Sequence, residues 1–212
     1  MIFRLDERII FPDPELADDD GLLAVGGDLS ANRLLLAYQN GIFPWYSDDE
    51  PILWFSPHER FVLFPDELKV SKSMNKILRS ATFTVTADTC FDKVIDACSL
   101  IEREGQDGTW ITDEMKAAYI NLHQKGHAHS VEVWQNEELV GGLYGVLIGN
   151  VFCGESMFSL VSNASKTALI HLVNTGLYQL IDCQVHTNHL ESMGARMISR
   201  KEYVTILQNS MV

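Results

Sequence analysis

The sequence predicts an α+β fold in which helices flank an antiparallel β-meander. Three apolar strand patterns, at residues 130–134, 139–148 and 151–153, are separated by polar turns at residues 135–138 and 149–150. Helical patterns precede this meander at residues 112–124 and follow it from Asn163 or Ser165 to about Gly176. Strands that are neighbours in sequence, with helices on either side, are typical of an α+β fold or a mixed sheet.

The first 62 residues are dense in proline and glycine and predict short strands and turns. One helix is expected there, with Ser30 as a candidate N-cap, an apolar stripe that includes Leu34 and Tyr38, and a stop at Gly41. We place a domain boundary near residues 61–65, which divides the chain into residues 1–62 and residues 63–212.

The second part has clearer periodicity. Helices are predicted at residues 71–80 and 91–104, the latter capped by Asp88 or Thr89, and a strand at residues 81–86. Thr112 is a good N-cap for the helix that precedes the meander, because Glu114 and an apolar stripe follow it. Beyond the helix that ends near Gly176, residues 180–185 have the pattern of a strand.

Composition and charge exclude several classes of protein. The net charge of −13, from 16 basic and 29 acidic side chains, argues against a broad basic surface that coats nucleic acid. It fits a cationic ligand, although solubility explains it equally well. The 4 cysteines contain no CxxC pair, and most are expected in the core. Because we find neither a signal-peptide pattern nor an uncharged run of the ~20 residues that span a bilayer, we expect a cytoplasmic protein.

The strand pattern LIDCQV at residues 180–185 places two polar side chains together. Alternation puts Asp182 and Gln184 on one face, about 7 Å apart. It turns Ile181, Cys183 and Val185 toward the core. A carboxylate beside a carboxamide can accept a proton and orient a substrate. An exposed sheet face near an edge explains the same pattern.

The segment GESMFS places Glu155 at the end of a very apolar strand. A carboxylate beside apolar groups is either paired or functional. The segment resembles the nucleophile elbow of serine hydrolases only loosely, because Phe158 stands where that turn needs glycine. We therefore reject a serine hydrolase.

A cationic helix face is predicted at residues 69–79. Lys69, Lys72, Lys76 and Arg79 follow a 3–4–3 spacing, and no acidic residue lies between them. In so acidic a chain, such a patch can bind a phosphate backbone. A solvated face opposite an apolar stripe is the ordinary explanation of the same spacing.

Histidines and loop tryptophans offer further candidates. His123 and His127 have the i, i+4 spacing of zinc ligands, but a glycine interrupts the helix that such a pair needs. Cys183 could pair with His186 or His189 as a nucleophile and its base. The tryptophans in loops either cover the core or line an apolar ligand pocket.

Segments across nearly the whole chain resemble one family. They include GLLAVGGDLS, LLLAYQNGIFPWY, PILWFSPHER, GTWIT, KGHAHSVEVW, LVGGLYGV, FCGESMFS, NASKTAL and IDCQ. In combination they resemble the leucyl/phenylalanyl-tRNA–protein transferases. The resemblance implies transfer of Leu, Phe or Met from aminoacyl-tRNA to proteins with N-terminal Arg or Lys, which marks them for degradation through the N-degron pathway. It implies a small N-terminal domain plus a larger domain similar to the GCN5-related acetyltransferase fold, as a monomer without metal, organic cofactor or membrane contact.

The resemblance also assigns roles to individual residues. Asp182 and Gln184 match the catalytic pair proposed to help deprotonate the incoming α-amine. The residues that match the pocket for the aminoacyl side chain and terminal adenosine are Tyr38, Trp45, Trp110, Phe152, Glu155 and Met157. The residues that match a helix at the tRNA acceptor stem are Lys72, Lys76 and Arg79. Leu172 stands where this pocket usually carries phenylalanine, so the donor preference stays open.

Two other functions compete with this one. An acetyl-CoA-dependent N-acetyltransferase needs a glycine-rich loop for the pyrophosphate, and the corresponding segment SLVSNASKTAL lacks such glycines. A non-enzymatic binding module for basic N-termini needs an acidic site, but neither an aromatic pocket nor a cationic helix. All three features are predicted here.

Overall fold

The computed structural model describes residues 2–47, 50–101 and 111–211, and it contains two β-sheets. The strands of the smaller sheet are β1 Phe3–Leu5, β2 Leu22–Gly26, β3 Phe43–Pro44 and β4 Leu53–Phe55. Their order across the sheet is β1-β2-β4-β3, with only β1 and β2 parallel. The helix α1, Ala31–Gln39, connects β2 to β3. The predicted mixture of one helix with short strands is confirmed.

The larger sheet contains seven strands and carries the meander. Its strands are β5 Glu59–Leu63, β6 Thr84–Ala87, β7 Ala128–Gln135, β8 Glu138–Ile148, β9 Val151–Ser159, β10 Leu180–Gln184 and β11 Arg196–Ser199. The helices are α2 Lys72–Arg79, α3 Phe91–Leu100, α4 Asp113–Gln124, α5 Ala164–Asn174, α6 Asn188–Ser192 and α7 Arg200–Ser210. The strand order is β11-β5-β10-β9-β8-β7-β6, and β9 and β10 form its parallel pair. The α+β class is confirmed.

Helices cover both faces of the larger sheet because its strands alternate apolar residues on both sides. One buried cluster joins the smaller sheet and the helices α1, α3, α4 and α7 to the face that carries Val62 and Cys153. A second cluster packs α2, α5 and α6 against the face that carries Phe61 and Phe152. Adjacent residues of one strand point to opposite faces, so these are two layers of core around one sheet.

The sequence position of the link between the two sheets bears on the domain division. β4 ends at Phe55 in the smaller sheet, and β5 begins at Glu59 and pairs with both β10 and β11. The division after residue 62 therefore falls inside a strand of the larger sheet, and it stays a prediction. In the parts of the chain that the structure describes, no helix is long and apolar enough to cross a membrane.

The helix caps agree with the sequence prediction in part. The Thr112 hydroxyl accepts a hydrogen bond from a backbone N–H in the first turn of α4, as predicted. Ser30 occupies the N-cap position of α1 but makes no side-chain bond there. The predicted cap of α3 is wrong, and Cys90 occupies that position. Asp88 instead accepts the Ser130 N–H at 2.9 Å, while the Thr89 hydroxyl donates to a buried carboxylate at 2.8 Å.

Three elements differ from the prediction in length. β9 continues from residue 153 to Ser159 because it keeps pairing with β8, whose Gly145 lies against the backbone of Cys153 and the ring of Phe152. A Cβ on Gly145 would lie 2.3 Å from the carbonyl oxygen of Cys153. β6 begins at Thr84 rather than at residue 81. The described part of α3 ends at Leu100, and the predicted extension to residue 104 reaches beyond the described residues.

Candidate functional site

A cavity of about 380 Å³ opens where the parallel strands β9 and β10 stop pairing. The two strands are in register only over residues 151–153 and 180–182. β9 then continues with β8, whereas β10 ends at Gln184. Residues at and beyond this point line the cavity: Gly154–Met157 on β9, Asp182–Gln184 at the end of β10, and Val185 just after it. It therefore lies at the carboxyl end of a parallel pair, where sheets commonly bind ligands.

The inner part of the cavity is apolar. Its walls are formed by Leu143, Phe152, Met157, Leu169, Leu172, Ile181 and Leu190. Leu172 is 3% exposed and extends from α5 over the sheet. Such a lining accommodates an aliphatic or aromatic group. The structure brings the predicted residues Phe152, Met157 and Leu172 together here, and their binding role stays a prediction.

A β-bulge shapes the polar part of the cavity. Asp182 and Gln184 pair with adjacent residues of β5, so Cys183 between them has no partner on that strand. Gln184 has a backbone φ of 58°, which residues other than glycine rarely adopt. The prediction from simple alternation is wrong at this point, since Val185 is 51% exposed instead of lying in the core.

The carboxylate of Asp182 is fully engaged within the protein. Arg60 of β5 donates to it through Nε at 3.0 Å and through Nη2 at 2.8 Å. The Tyr203 hydroxyl donates to Oδ2 at 2.7 Å, and the Gln184 backbone N–H donates to Oδ1 at 2.9 Å. Burial opposes the charge of Arg60, but the attraction of Asp182 outweighs it and raises the pKa of Arg60 above its usual range. Asp182 therefore anchors the bulge that presents Gln184.

Glu155 of β9 is a second buried carboxylate, and it borders the cavity. Its Oε1 accepts the Gln184 side-chain amide at 2.7 Å, and its Oε2 accepts the Tyr119 hydroxyl at 3.0 Å. The Tyr119 hydroxyl is also hydrogen bonded to that of Tyr38. Burial raises the pKa of Glu155 to about 7, although the hydrogen bonds from the tyrosines and Gln184 oppose this rise. None of the ion pairs among residues 2–47, 50–101 and 111–211 includes Glu155.

Sequence reasoning missed three residues that hold this site together. Arg60, Tyr119 and Tyr203 reach it from β5, α4 and α7. Each is at most 2% exposed, which is rare for arginine unless it is paired. Arg60 lies in the apolar strand pattern RFVLF, and a lone cation there is the one signal that could have indicated a buried partner.

The predicted aromatic residues have different positions. Trp45 lies in the cavity wall, 38% exposed, with its ring 6.3 Å from that of Phe55. Tyr38 is buried, and its hydroxyl is hydrogen bonded to that of Tyr119 and helps to stabilise the ionised form of Glu155. Trp110 lies outside the described residues. The aromatic residues that line the cavity are therefore Phe43 and Trp45 on the side of the smaller sheet, and Tyr144 and Phe152 of the larger sheet.

The cations of α2 are exposed on a helix that packs into the second core cluster. Lys72, Lys76 and Arg79 lie on the solvent face of α2, while Met74 on its other face is 4% exposed within the second core cluster. That cluster also contains the cavity residues of α5 and α6. Lys69 precedes the helix, because Ser71 caps it, so the predicted helical run of four cations contains three.

The alternative nucleophile and metal sites find no geometric support. His123 Nδ1 donates a hydrogen bond to the Ala128 carbonyl oxygen at 2.8 Å, and the His123 ring stacks on Phe91 with 4.4 Å between ring centres. His186 is hydrogen bonded to Glu191 at 3.1 Å. Burial raises the pKa of the Cys183 thiol, the opposite of what a nucleophile needs. Within the described ranges, no three His, Cys, Asp or Glu side chains are grouped as metal ligands.

Comparison with known proteins identifies relatives along the whole chain. Residues 62–208 match the family model of the leucyl/phenylalanyl-tRNA protein transferase, and residues 27–58 match the model of its N-terminal domain. A leucyl/phenylalanyl-tRNA–protein transferase of Syntrophobacter fumaroxidans is 58% identical over 209 residues, which cover 97% of this chain and 89% of that protein. The protein of the same name from Flavobacterium johnsoniae is 56% identical, over 98% of this chain and 100% of that protein.

Solved structures with a similar fold are distant in sequence. FemX is 10% identical with a TM-score of 0.48, and the match covers 80% of this chain and 66% of that one. A GCN5-related N-acetyltransferase from Kribbella flavida is 9% identical with a TM-score of 0.39, over 75% and 57% of the two chains.

Proposed function

The chain belongs to the leucyl/phenylalanyl-tRNA protein transferase family, and from this membership we propose how its site transfers an amino acid from aminoacyl-tRNA to a protein. The donors are Leu-, Phe- and Met-tRNA, and the acceptors are proteins with N-terminal Arg or Lys. The reaction takes place in the cytoplasm, where charged tRNA is found, and marks the acceptor for N-degron degradation. We propose a monomer as the active unit, because described residues of one chain line both the apolar and the polar part of the cavity.

The observation that carries this proposal is a cavity with an apolar interior and a polar edge. Phe152, Leu172 and their apolar neighbours fit the side chain of a hydrophobic donor amino acid. Glu155 and Gln184 stand at the polar edge, where the ester and the acceptor amine meet. Trp45 offers a ring at the exposed part of the wall, suited to stacking on the terminal adenine.

The reaction itself depends mainly on positioning. An aminoacyl ester is already activated, so holding the amine against its carbonyl supplies most of the acceleration. An α-amine has a pKa of about 7.7–8.0, so part of it is neutral at physiological pH. The side-chain nitrogen of Gln184 donates a hydrogen bond to Glu155. The side-chain oxygen of Gln184 is therefore oriented to accept a hydrogen bond from the acceptor amine. Asp182 acts through Gln184 by fixing the bulge.

In this proposal the α2 surface binds the tRNA, and the negative charge of the chain attracts the acceptor protein. Lys72, Lys76 and Arg79 are exposed and take part in no ion pair of the described residues, so they are available to phosphates. We expect tRNA affinity to fall steeply as salt rises, because each phosphate contact releases counterions. The net charge of −13 attracts an N-terminal Arg or Lys.

The test is transfer itself. The protein is incubated with radiolabelled Leu-, Phe- or Met-tRNA and with peptides that begin with Arg, Lys, Ala or Glu. We expect label in the Arg and Lys peptides alone. The ranking of the three donors shows which amino-acid side chain best fits the pocket that Leu172 lines. Folded protein without transfer from any donor would contradict the proposal. A melting temperature raised by acetyl-CoA would favour an acetyltransferase instead.

A further inference from the structure

Glu155 and Asp182 are buried carboxylates that border the cavity, and they differ in their hydrogen-bond partners and in the compensation of their charge. Both oxygens of Asp182 accept from Arg60, and each accepts a further donor, Tyr203 or the Gln184 N–H. Glu155 accepts hydrogen bonds from neutral groups, among them Tyr119 and the Gln184 side chain, and no ion pair within the described ranges offsets its charge. A proton placed on Asp182 would break the ion pair with Arg60, whereas a proton on Glu155 would relieve an uncompensated buried charge.

From this difference we propose that Glu155 is the catalytic residue that accepts the proton of the attacking amine, and that Asp182 is a positioning residue. The inference rests on the proposed function, because it concerns the proton of that reaction. Gln184 connects the two carboxylates: its backbone N–H is held by Asp182 and its side chain by Glu155.

The step balances within the site. The neutral amine nitrogen attacks the ester carbonyl carbon, the C–N bond forms, and the released N–H proton moves to a Glu155 oxygen. When the tetrahedral intermediate collapses, the bond from that carbon to the ribose oxygen breaks. The proton on Glu155 then passes to the departing ribose oxygen, which regenerates the carboxylate. Burial, which raises the pKa of Glu155 to about 7, suits a group that both takes and returns a proton near neutral pH.

Groups from every neighbouring element affect this titration. Tyr38 of α1 and Tyr119 of α4 stabilise the ionised form of Glu155 by hydrogen bonding. Asp182 of β10 disfavours the ionised form by repulsion, which its pairing with Arg60 limits. Tyr144 and His189 also line the cavity, and Cys153 lies within electrostatic reach of Glu155. Removing the Tyr119 hydroxyl should therefore shift the pKa of Glu155.

The experiment measures the pH dependence of kcat with saturating donor and two Arg-peptides whose α-amines differ in pKa. A limb set by the amine moves between the two peptides, whereas a limb set by Glu155 does not. We expect Tyr119→Phe to move this second limb to higher pH, since the ionised carboxylate loses a donor. The matched control is Tyr178→Phe: the Tyr178 ring packs against Phe152, and Tyr178 is not among the groups that shift the pKa of Glu155, so the limb should stay in place.

Substitution of Glu155 gives the second measurement. Glu155→Gln should lower kcat by about 10²–10⁴-fold, with the KM for the donor little changed, and Glu155→Asp should recover part of the rate. If Glu155→Gln does not fold, titration of ¹³C-carboxyl-labelled glutamates in wild type and Tyr119→Phe reads the same shift. An unmoved limb and unmoved titration in Tyr119→Phe would overturn the inference alone. Absence of transfer by the wild type would instead overturn the proposed function.

Discussion

Asp182 and Glu155 lie on adjacent strands of one sheet. Both carboxylates are buried, but the groups that surround them differ. Asp182 is 0% exposed and is compensated by Arg60, which is itself held between the rings of Phe43 and Tyr203. Glu155 is 8% exposed and is surrounded only by neutral donors. The comparison teaches that burial alone does not determine the state of a carboxylate. A carboxylate paired with a cation holds the structure in place. An unpaired buried carboxylate has its pKa raised toward neutral pH, where it can exchange a proton.

The largest expected effect tests the anchor. Arg60→Met removes the cation and leaves Asp182 buried without compensation, which should cost about 3–5 kcal/mol of unfolding free energy. The measurement is urea denaturation at pH 7. Arg8→Met is the matched control, because the ion pair of Arg8 with Asp6 is exposed and its loss should change the unfolding free energy far less than Arg60→Met does. Equal small losses in both variants would mean that Asp182 is not held electrostatically.

The next effect tests the unpaired carboxylate through pH. Folding raises the pKa of Glu155 from 4.5 to about 7, so the folded state binds the extra proton. Between these two values stability falls as pH rises, and the full penalty of about 3 kcal/mol is present above the folded pKa. Glu155→Gln removes this contribution. Its unfolding free energy relative to wild type should therefore rise by that amount from pH 4.5 to pH 8. A difference that is flat across this range would contradict the raised pKa.

The smallest effect sharpens the comparison with two phenylalanine variants. Tyr203→Phe removes a donor to Asp182, which is paired with Arg60, and should cost about 2 kcal/mol whether or not Glu155 is ionised. Tyr119→Phe removes a donor to Glu155 and should cost a similar amount only above pH 7, where Glu155 is ionised. Denaturation curves at three pH values distinguish the two. Parallel pH profiles would show that both carboxylates have the same charge state.

Much of the fold was predictable because its signals are local. The spacing of apolar residues gave α4 and the meander, and Thr112 fixed where α4 begins. The lengths of elements were less predictable where a neighbour decided them. β9 continues past Gly154 because the glycines of β8 let the two strands stay paired, which the pattern of β9 alone does not show.

Within the candidate site, the sequence by itself determined the chemical types, and the tertiary structure decided their states. Alternation drew attention to Asp182 and Gln184, and an acid after an apolar strand drew attention to Glu155. The partner that distinguishes the two acids, Arg60, lies 122 positions from Asp182 in the chain. Pairing across that distance depends on the order β5-β10-β9 and on a one-residue bulge. Because charge compensation acts through space over a few ångströms, only the folded sheet decides which carboxylate is anchored and which can titrate.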